Sequence, residues 1–217
     1  MRVLSTLALK GVLEKFRPAL EQQVDAPLEL QFDATQSILA QLRSGARADV
    51  LILTAEAIET LPVKHVRRLG SSGVGVAVRA GAPKPDIGTV DALKESLLAA
   101  RSVAHSKVGA SGIYFAEMLQ RLGIADRLKK RIIVEKGPVG LVVASGEAEI
   151  GVQQLCELAP VGGIDIVGPL PDPLQRITHF AAGISADADA AVAVKFMDFL
   201  ASDAVRTAMA AGGIEPP

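Results

Sequence analysis

The sequence predicts an α/β fold, built from mostly parallel sheets with helices packed on them. Strand-like and helix-like segments alternate along the whole chain, the pattern of βα units feeding a parallel sheet. Val50-Leu51-Ile52-Leu53 is a continuous apolar run of the kind buried on both faces. The strands also fall into two groups, one before Val78 and one after Val103, with the Gly81-Ala82-Pro83-Lys84-Pro85 turn between them. That grouping predicts two lobes: residues 1–78 plus 186–217, and residues 79–185.

Each element has its own signal. Arg2 to Leu4 reads as a short strand, and Ser5-Thr6 turns into a helix with an apolar stripe of Ala8, Val12, Leu13, Phe16 and Leu20. Pro18 is expected to kink that helix or end it early. Leu28, Leu30 and Phe32 alternate with polar residues as in a half-buried strand. Asp33 to Ser37 opens a helix carrying Ile38, Leu39 and Leu42, and Ser44-Gly45 closes it. Pro62 to Leu69 reads as a small basic helix, and Gly73 to Val78 as a strand. Thr89 is a good N-cap for a helix over Val90–Leu98. Val103 to His105 is a strand, Ala110-Ser111-Gly112 opens a helix over Ile113–Leu122, and Gly123 ends it. Ile132–Val134 and Glu149–Gln153 are strands, and the helix between them starts at Gly137-Pro138. Ile164–Val167 and Thr178–Ile184 follow as strands, then one helical stretch over Ala188–Ala211 that returns to the first lobe.

Composition excludes several function classes. The chain has 217 residues, 49% of them apolar, and a formal net charge of −1 with no long basic tract, which leaves nucleic-acid binding without electrostatic support. Aromatic residues are 3% with no Trp, so base-stacking surfaces are not expected either. The single Cys156 rules out an internal disulfide and a multi-cysteine metal site, and it reads as a small buried residue. His65, His105 and His179 lack ligand spacing, so neither a metal nor another cofactor is expected. There is no membrane span, P-loop, nucleophile elbow or paired-carboxylate spacing. Lys10 follows Met1-Arg2-Val3-Leu4 too soon for a signal peptide. The chain therefore reads as cytoplasmic, or as periplasmic if a leader has been removed.

The chemistry is expected in the strand-to-helix turns. Ser5-Thr6, Thr35-Gln36-Ser37, Ser111-Gly112 and Gly137-Pro138 put small or hydroxylated residues where backbone N–H groups have no helical partner. Ligands of open α/β sheets sit outside the carboxyl ends of the strands. Several such turns would hold a small anion without a formal cation, each helix end contributing about 0.3–1 kcal/mol when exposed. Capping alone is the plainer reading of any one turn.

At Gly45-Ala46-Arg47-Ala48-Asp49-Val50, followed by Leu53-Thr54-Ala55, and at Gly146-Glu147-Ala148-Glu149-Ile150-Gly151-Val152, the chain resembles type II periplasmic solute-binding proteins of the molybdate-binding kind. The resemblance covers nearly the whole chain. It implies two lobes joined by a two-strand hinge, with a ligand cleft between them, and an ABC permease as partner if the protein is exported. It also implies ligand contacts from Ser5 or Thr6, Thr35, the neighbourhood of Thr54, Ser111 and the turn before Val139. Two departures matter. Gln153-Gln154 stands where the family has a tyrosine, and His105-Ser106-Lys107-Val108-Gly109-Ala110-Ser111 replaces its acidic, proline-bearing loop.

A histidine and a lysine near an anion site suit a di- or tricarboxylate at least as well as a tetrahedral oxyanion. The ligand-binding set that the resemblance and the strand-to-helix turns together imply is Ser5, Thr6, Thr35, Gln36, Thr54, Ser111, Gly112, Gly137 and Gln154. The alternative is an isomerase of a small unsaturated tricarboxylate such as aconitate, since some proteins similar to this family are such enzymes. That reaction needs a group to move a proton beside a carboxylate, and His105, Lys107 and Tyr114 are the candidates. Each has a plainer reading, as a backbone-satisfied strand end, a solvated loop charge and a packing residue. Lys64 to Arg68 reads as a solvated basic face, and Arg79 as a surface or hinge residue. A ligand-sensing regulator ranks last, because no helix-turn-helix precedes the fold.

Overall fold

The computed structural model describes residues 1–217. In chain order the elements are β1 (Arg2–Thr6), α1 (Lys10–Val24), β2 (Glu29–Asp33), α2 (Thr35–Arg43), β3 (Val50–Thr54), α3 (Ala55–Glu59), β4 (Val63–Arg79) and α4 (Val90–Ala99). They continue with β5 (Val103–Ser106), α5 (Ala110–Arg121), β6 (Arg131–Val134), α6 (Val139–Ala144), β7 (Ile150–Gln154) and α7 (Leu155–Leu158). The last are β8 (Ile164–Pro169), β9 (Ile177–Ser185), α8 (Ala190–Leu200) and α9 (Asp203–Ala211). A 3₁₀ turn, Leu7–Leu9, leads from β1 into α1. No helix is long and apolar enough to cross a membrane.

The chain forms two compact units, Met1–Ser72 with Thr178–Pro217, and Gly73–Ile177. It passes between them inside β4 and inside β9, and the Gly81–Pro85 turn lies within the second unit. In unit 1, β1 pairs in parallel with β2 on one side and β3 on the other, and β9 runs antiparallel beside β3. In unit 2, β5 pairs in parallel with β6 and β7, and β4 runs antiparallel to β7 and β8. Each unit is thus a three-strand parallel core with antiparallel company on one edge. The topology repeats: β1-α1-β2-α2-β3 in the first unit, β5-α5-β6-α6-β7 in the second.

The cores follow from the apolar runs. Leu4, Ile38, Leu51, Leu53, Ile58 and Ala181 cluster on one face of the first sheet. On α1 and α8, the rings of Phe16 and Phe199 meet edge to face at 6.0 Å. In unit 2, Val76, Leu93, Val103, Phe115, Met118 and Val152 are buried together, while Ala104, Val134, Val139 and Val143 cluster apart from them.

Four features differ from the sequence reading. Pro62–Leu69 is not a helix. Val63 to Leu69 is the first part of β4, which runs on to Arg79 and passes through His65 at φ +50°. Pro18 does not end α1, because it lies on the exposed side where the carbonyl it leaves unpaired meets water. The stretch after Ala188 is two helices, divided where the Ser202 hydroxyl accepts from Val205 N–H and caps α9. The short helices α3 and α7 follow β3 and β7 directly and were not expected. Lys64–Arg68 is not simply solvated either. Arg67 donates to the Met197 carbonyl and pairs with Asp198 at 3.0 Å.

Candidate functional site

In each unit the connection leaving the central strand runs to one side of it and the connection leaving the third strand runs to the other, and open sheets receive ligands at the carboxyl ends of the strands at such a reversal. In unit 1 that point lies at the ends of β1 and β3, in unit 2 at the ends of β5 and β7.

Helix capping divides along the same line. The helices that follow parallel strands start without a cap from the side chain of the N-cap residue: the 3₁₀ turn after Thr6, α2 after Ala34, α3 after Thr54, α5 after Gly109, α6 after Pro138 and α7 after Gln154. Of the rest, α4, α8 and α9 are capped by Thr89, Asp189 and Ser202, while α1, which continues a 3₁₀ turn, and the 3₁₀ turn Asp172–Leu174 have no such cap. The hydroxyls of Thr6 and Thr54 sit at N-cap positions but do not cap. In α2 the first helical bond is Ile38 N–H to the Ala34 carbonyl, and in α5 it is Ile113 N–H to Gly109. The N–H groups before these bonds have no helical acceptor.

In unit 1, Ser5 is buried and its hydroxyl donates to the Thr6 carbonyl at 3.0 Å. Thr6 is buried beside it, and its Oγ1 has no partner. Thr35 Oγ1 accepts from Thr54 N–H at 3.4 Å, which ties the start of α2 to the end of β3. Gln36 is exposed in the first turn of α2. A cavity of about 900 Å³ also lies in this unit, but at the opposite ends of the strands, by Arg2, Glu29, Arg43 and Asp187, and no expected site residue lines it.

In unit 2, Ser111 and Gly112 are buried in the first turn of α5. Gly112 is required there: a Cβ would stand 1.9 Å from the Ser106 carbonyl oxygen. The Ser106 hydroxyl accepts from Gly109 N–H at 3.0 Å and shapes the loop. His105 is 3% exposed, its ring lies 5.5 Å from Phe115, and its Nδ1 is 2.9 Å from the Ser106 carbonyl oxygen. Its Nε2 has no partner, and neither has Nε2 of Gln154, which is equally buried at the end of the neighbouring strand β7. An orphaned buried polar atom costs about 1–3 kcal/mol. Every buried side-chain N or O atom without a partner in this chain, those of Thr6, His105 and Gln154, stands at a strand's carboxyl end.

Three expected residues are committed elsewhere. Lys107 makes two bonds to the Glu135 carboxylate, at 3.0 and 2.9 Å, on the exposed surface. The Tyr114 hydroxyl donates to the Leu174 carbonyl at 2.9 Å and accepts from Arg121, and its ring packs on the unit 2 core. The turn at Gly137 is not open, because Val139 N–H donates to Gln153 Oε1 at 2.8 Å. Gln153 in turn donates from Nε2 to Glu157 on α7. Burial pushes the Glu157 carboxyl up to about 7, against the lowering effect of that Gln153 bond. Sequence reasoning missed Gln153 and Glu157. Replacing Lys107 with alanine is expected to change stability by less than about 1 kcal/mol, as for other exposed pairs, and to leave any ligand-induced rise in melting temperature intact. A lost rise would return Lys107 to the site.

A sequence model of the bacterial extracellular solute-binding proteins matches residues 1–215. The chain belongs to this family. Over 231 aligned residues this solute-binding protein is 36% identical to an aconitate isomerase from Pseudomonas sp., covering 100% of the chain and 87% of that relative. Its fold is similar to the periplasmic molybdate-binding protein of Azotobacter vinelandii, at TM-score 0.79, 20% identity and coverage of 100% and 99%. It is similar also to the regulatory domain of Synechocystis PCC6803 CcmR in complex with 2-PG, at TM-score 0.66 and 15% identity, covering 92% and 94%. At these identities the two structures speak for the fold.

Proposed function

We propose that this solute-binding protein takes a small polycarboxylate anion at the carboxyl ends of its parallel strands. The observation that carries the reading is the coincidence of unpartnered buried polar atoms, on Thr6, His105 and Gln154, with helix starts that no side chain caps. In unit 2, Ser111, Gly112 and Gln154 supply hydroxyl, backbone and amide donors at the strand ends, and in unit 1 the hydroxyl of Thr6 stands at the corresponding strand end. None carries a formal charge, so the anion is held by fixed dipoles, which act strongly where water is excluded. A second reading, isomerisation of an unsaturated tricarboxylate, is favoured by the 36% identity to an aconitate isomerase over the full chain.

A thermal-shift series with molybdate, sulfate, phosphate, citrate, cis-aconitate and trans-aconitate tests the first reading. A ligand at a hundredfold excess over Kd adds about 2.7 kcal/mol of apparent stability. Carboxylates are expected to raise the melting temperature more than tetrahedral oxyanions do. A chain unmoved by every anion in the series does not bind anions at these turns. Following the two aconitates by NMR decides between binding alone and turnover.

A further inference from the structure

We propose that His105 is the proton acceptor of the unit 2 site, its Nε2 taking a hydrogen from the carbon of a bound unsaturated polycarboxylate. The proposal rests on reading the strand ends of unit 2 as the anion site, and it deepens that reading by naming the reacting group and the substrate class.

The ring's hydrogen-bonding state follows from its partner. A carbonyl oxygen only accepts, so the 2.9 Å contact to Ser106 places a hydrogen on Nδ1. In the neutral ring Nε2 then carries a bare lone pair, and that atom has no partner in the protein. Burial holds the ring below the ordinary imidazole pKa. The Ser106 carbonyl works in the opposite sense, and the charge of Arg131 adds to the lowering. Phe115, fully buried on α5, fixes the ring's position.

Two kinds of donor stand at the same end of the unit 2 sheet as the ring. His105 and Val103 share one face of β5, and Gln154 and Val152 share the same face of β7, since Val103 and Val152 lie in one core cluster. The free donor of Gln154 and the uncapped N–H groups at the start of α5 offer hydrogen bonds to carboxylates. His105 offers the only bare acceptor among the unpartnered atoms that unit 2 buries. A fully deprotonated tetrahedral oxyanion would set lone pairs against it. A polycarboxylate with a methylene beside a carbon–carbon double bond brings a hydrogen instead.

The step balances within substrate and ring. The methylene C–H bond breaks as the Nε2–H bond forms, and the released electron pair spreads over the three-carbon unit into the adjoining carboxylate. The imidazolium returns the proton to the other end of that unit. The double bond has then moved one place, re-formed in either geometry, and the ring is neutral again. Lys107 and Tyr114 are engaged by Glu135 and Leu174 and take no part.

The test follows cis- and trans-aconitate by NMR in heavy water, with thermal shift as the measure of binding. The wild-type protein is expected to interconvert the isomers and to place deuterium in the methylene. His105→Asn keeps a nitrogen for the Ser106 carbonyl, and His105→Gln is the second variant. Both are expected to keep the aconitate-induced rise in melting temperature and to lose exchange by at least about 100-fold, the usual worth of a positioned base. Exchange that survives in a folded variant, or a wild-type protein that binds aconitate without exchanging it, overturns the proposal and leaves anion binding standing. A wild-type protein that no carboxylate stabilises removes the anion site itself, and the proposal with it.

Discussion

Gly112→Ala is expected to unseat α5 and to abolish ligand binding. The added Cβ would lie 1.9 Å from the oxygen, 2.6 Å from the carbon and 2.9 Å from the Cα of Ser106. All three are backbone atoms at the end of β5, so no side chain can swing aside. The helix must move by more than an ångström, and α5 carries Phe115, Met118 and Leu119, each fully buried. Packing at crystal-like density does not absorb such a shift. The cost is expected at the upper end of overpacking, about 3 kcal/mol. Urea unfolding measures it as a lower midpoint, and the anion-induced rise in melting temperature disappears with the displaced helix start. Gly109→Ala is the control. Its Cβ would meet only the Ser106 hydroxyl at 3.0 Å and Cβ at 3.3 Å, and its N–H bond to that hydroxyl does not involve the new methyl. A wild-type midpoint for Gly112→Ala would mean that β5 and α5 are not in contact at this turn.

The alternation of βα units was legible because buried parallel strands and helix starts are local signals. The apolar run of β3 and the Thr89 cap of α4 needed nothing beyond their own residues. What a strand-end hydroxyl does was not legible. Thr89 caps and Thr6 does not, yet both are threonines ahead of a helix, and only the backbone around them decides. Lys107 illustrates a different blindness. It stands two residues from His105, but β5 pairs with β6 so that Ser106 is opposite Val134, which sets Lys107 beside Glu135. Register between strands far apart in sequence is invisible in a single chain. The neighbours Gln153 and Gln154 differ for a related reason. Gln153 faces α6 and caps it from β7, whereas Gln154 faces the core cluster of α5, and the phase of β7 settles which does which. The helical reading of Pro62 to Leu69 failed for the same reason, because Val63 to Leu69 belongs to β4 and its neighbour in the sheet, β9, is far away in sequence.

Glu157→Gln is expected to make the protein more stable at pH 8 and to change little at pH 5. The Glu157 carboxyl is raised to about 7 from an unfolded value of 4.5, chiefly by burial. Between those values the folded chain binds more protons than the unfolded one, so stability falls as pH rises from about 4.5 and levels off above 7. Each unit of pKa is about 1.4 kcal/mol, so the swing is at most about 3 to 4 kcal/mol. His105 acts in the other direction. Its pKa is lowered, so the unfolded chain binds the extra proton, and stability rises with pH up to the ordinary value of 6.5. The wild-type profile therefore mixes opposed slopes, but the difference between wild type and variant isolates Glu157, because His105 is common to both. Glutamine retains a carbonyl to accept from Gln153, so the Gln153 bond to Val139 N–H and the start of α6 are preserved in the variant. Urea unfolding at pH 5, 6, 7 and 8 reads the difference directly. A gap that opens with pH shows a carboxylate charged at a cost inside unit 2. A gap of constant size would place that carboxylate in water and detach Gln153, and the α6 start it holds, from any dependence on charge.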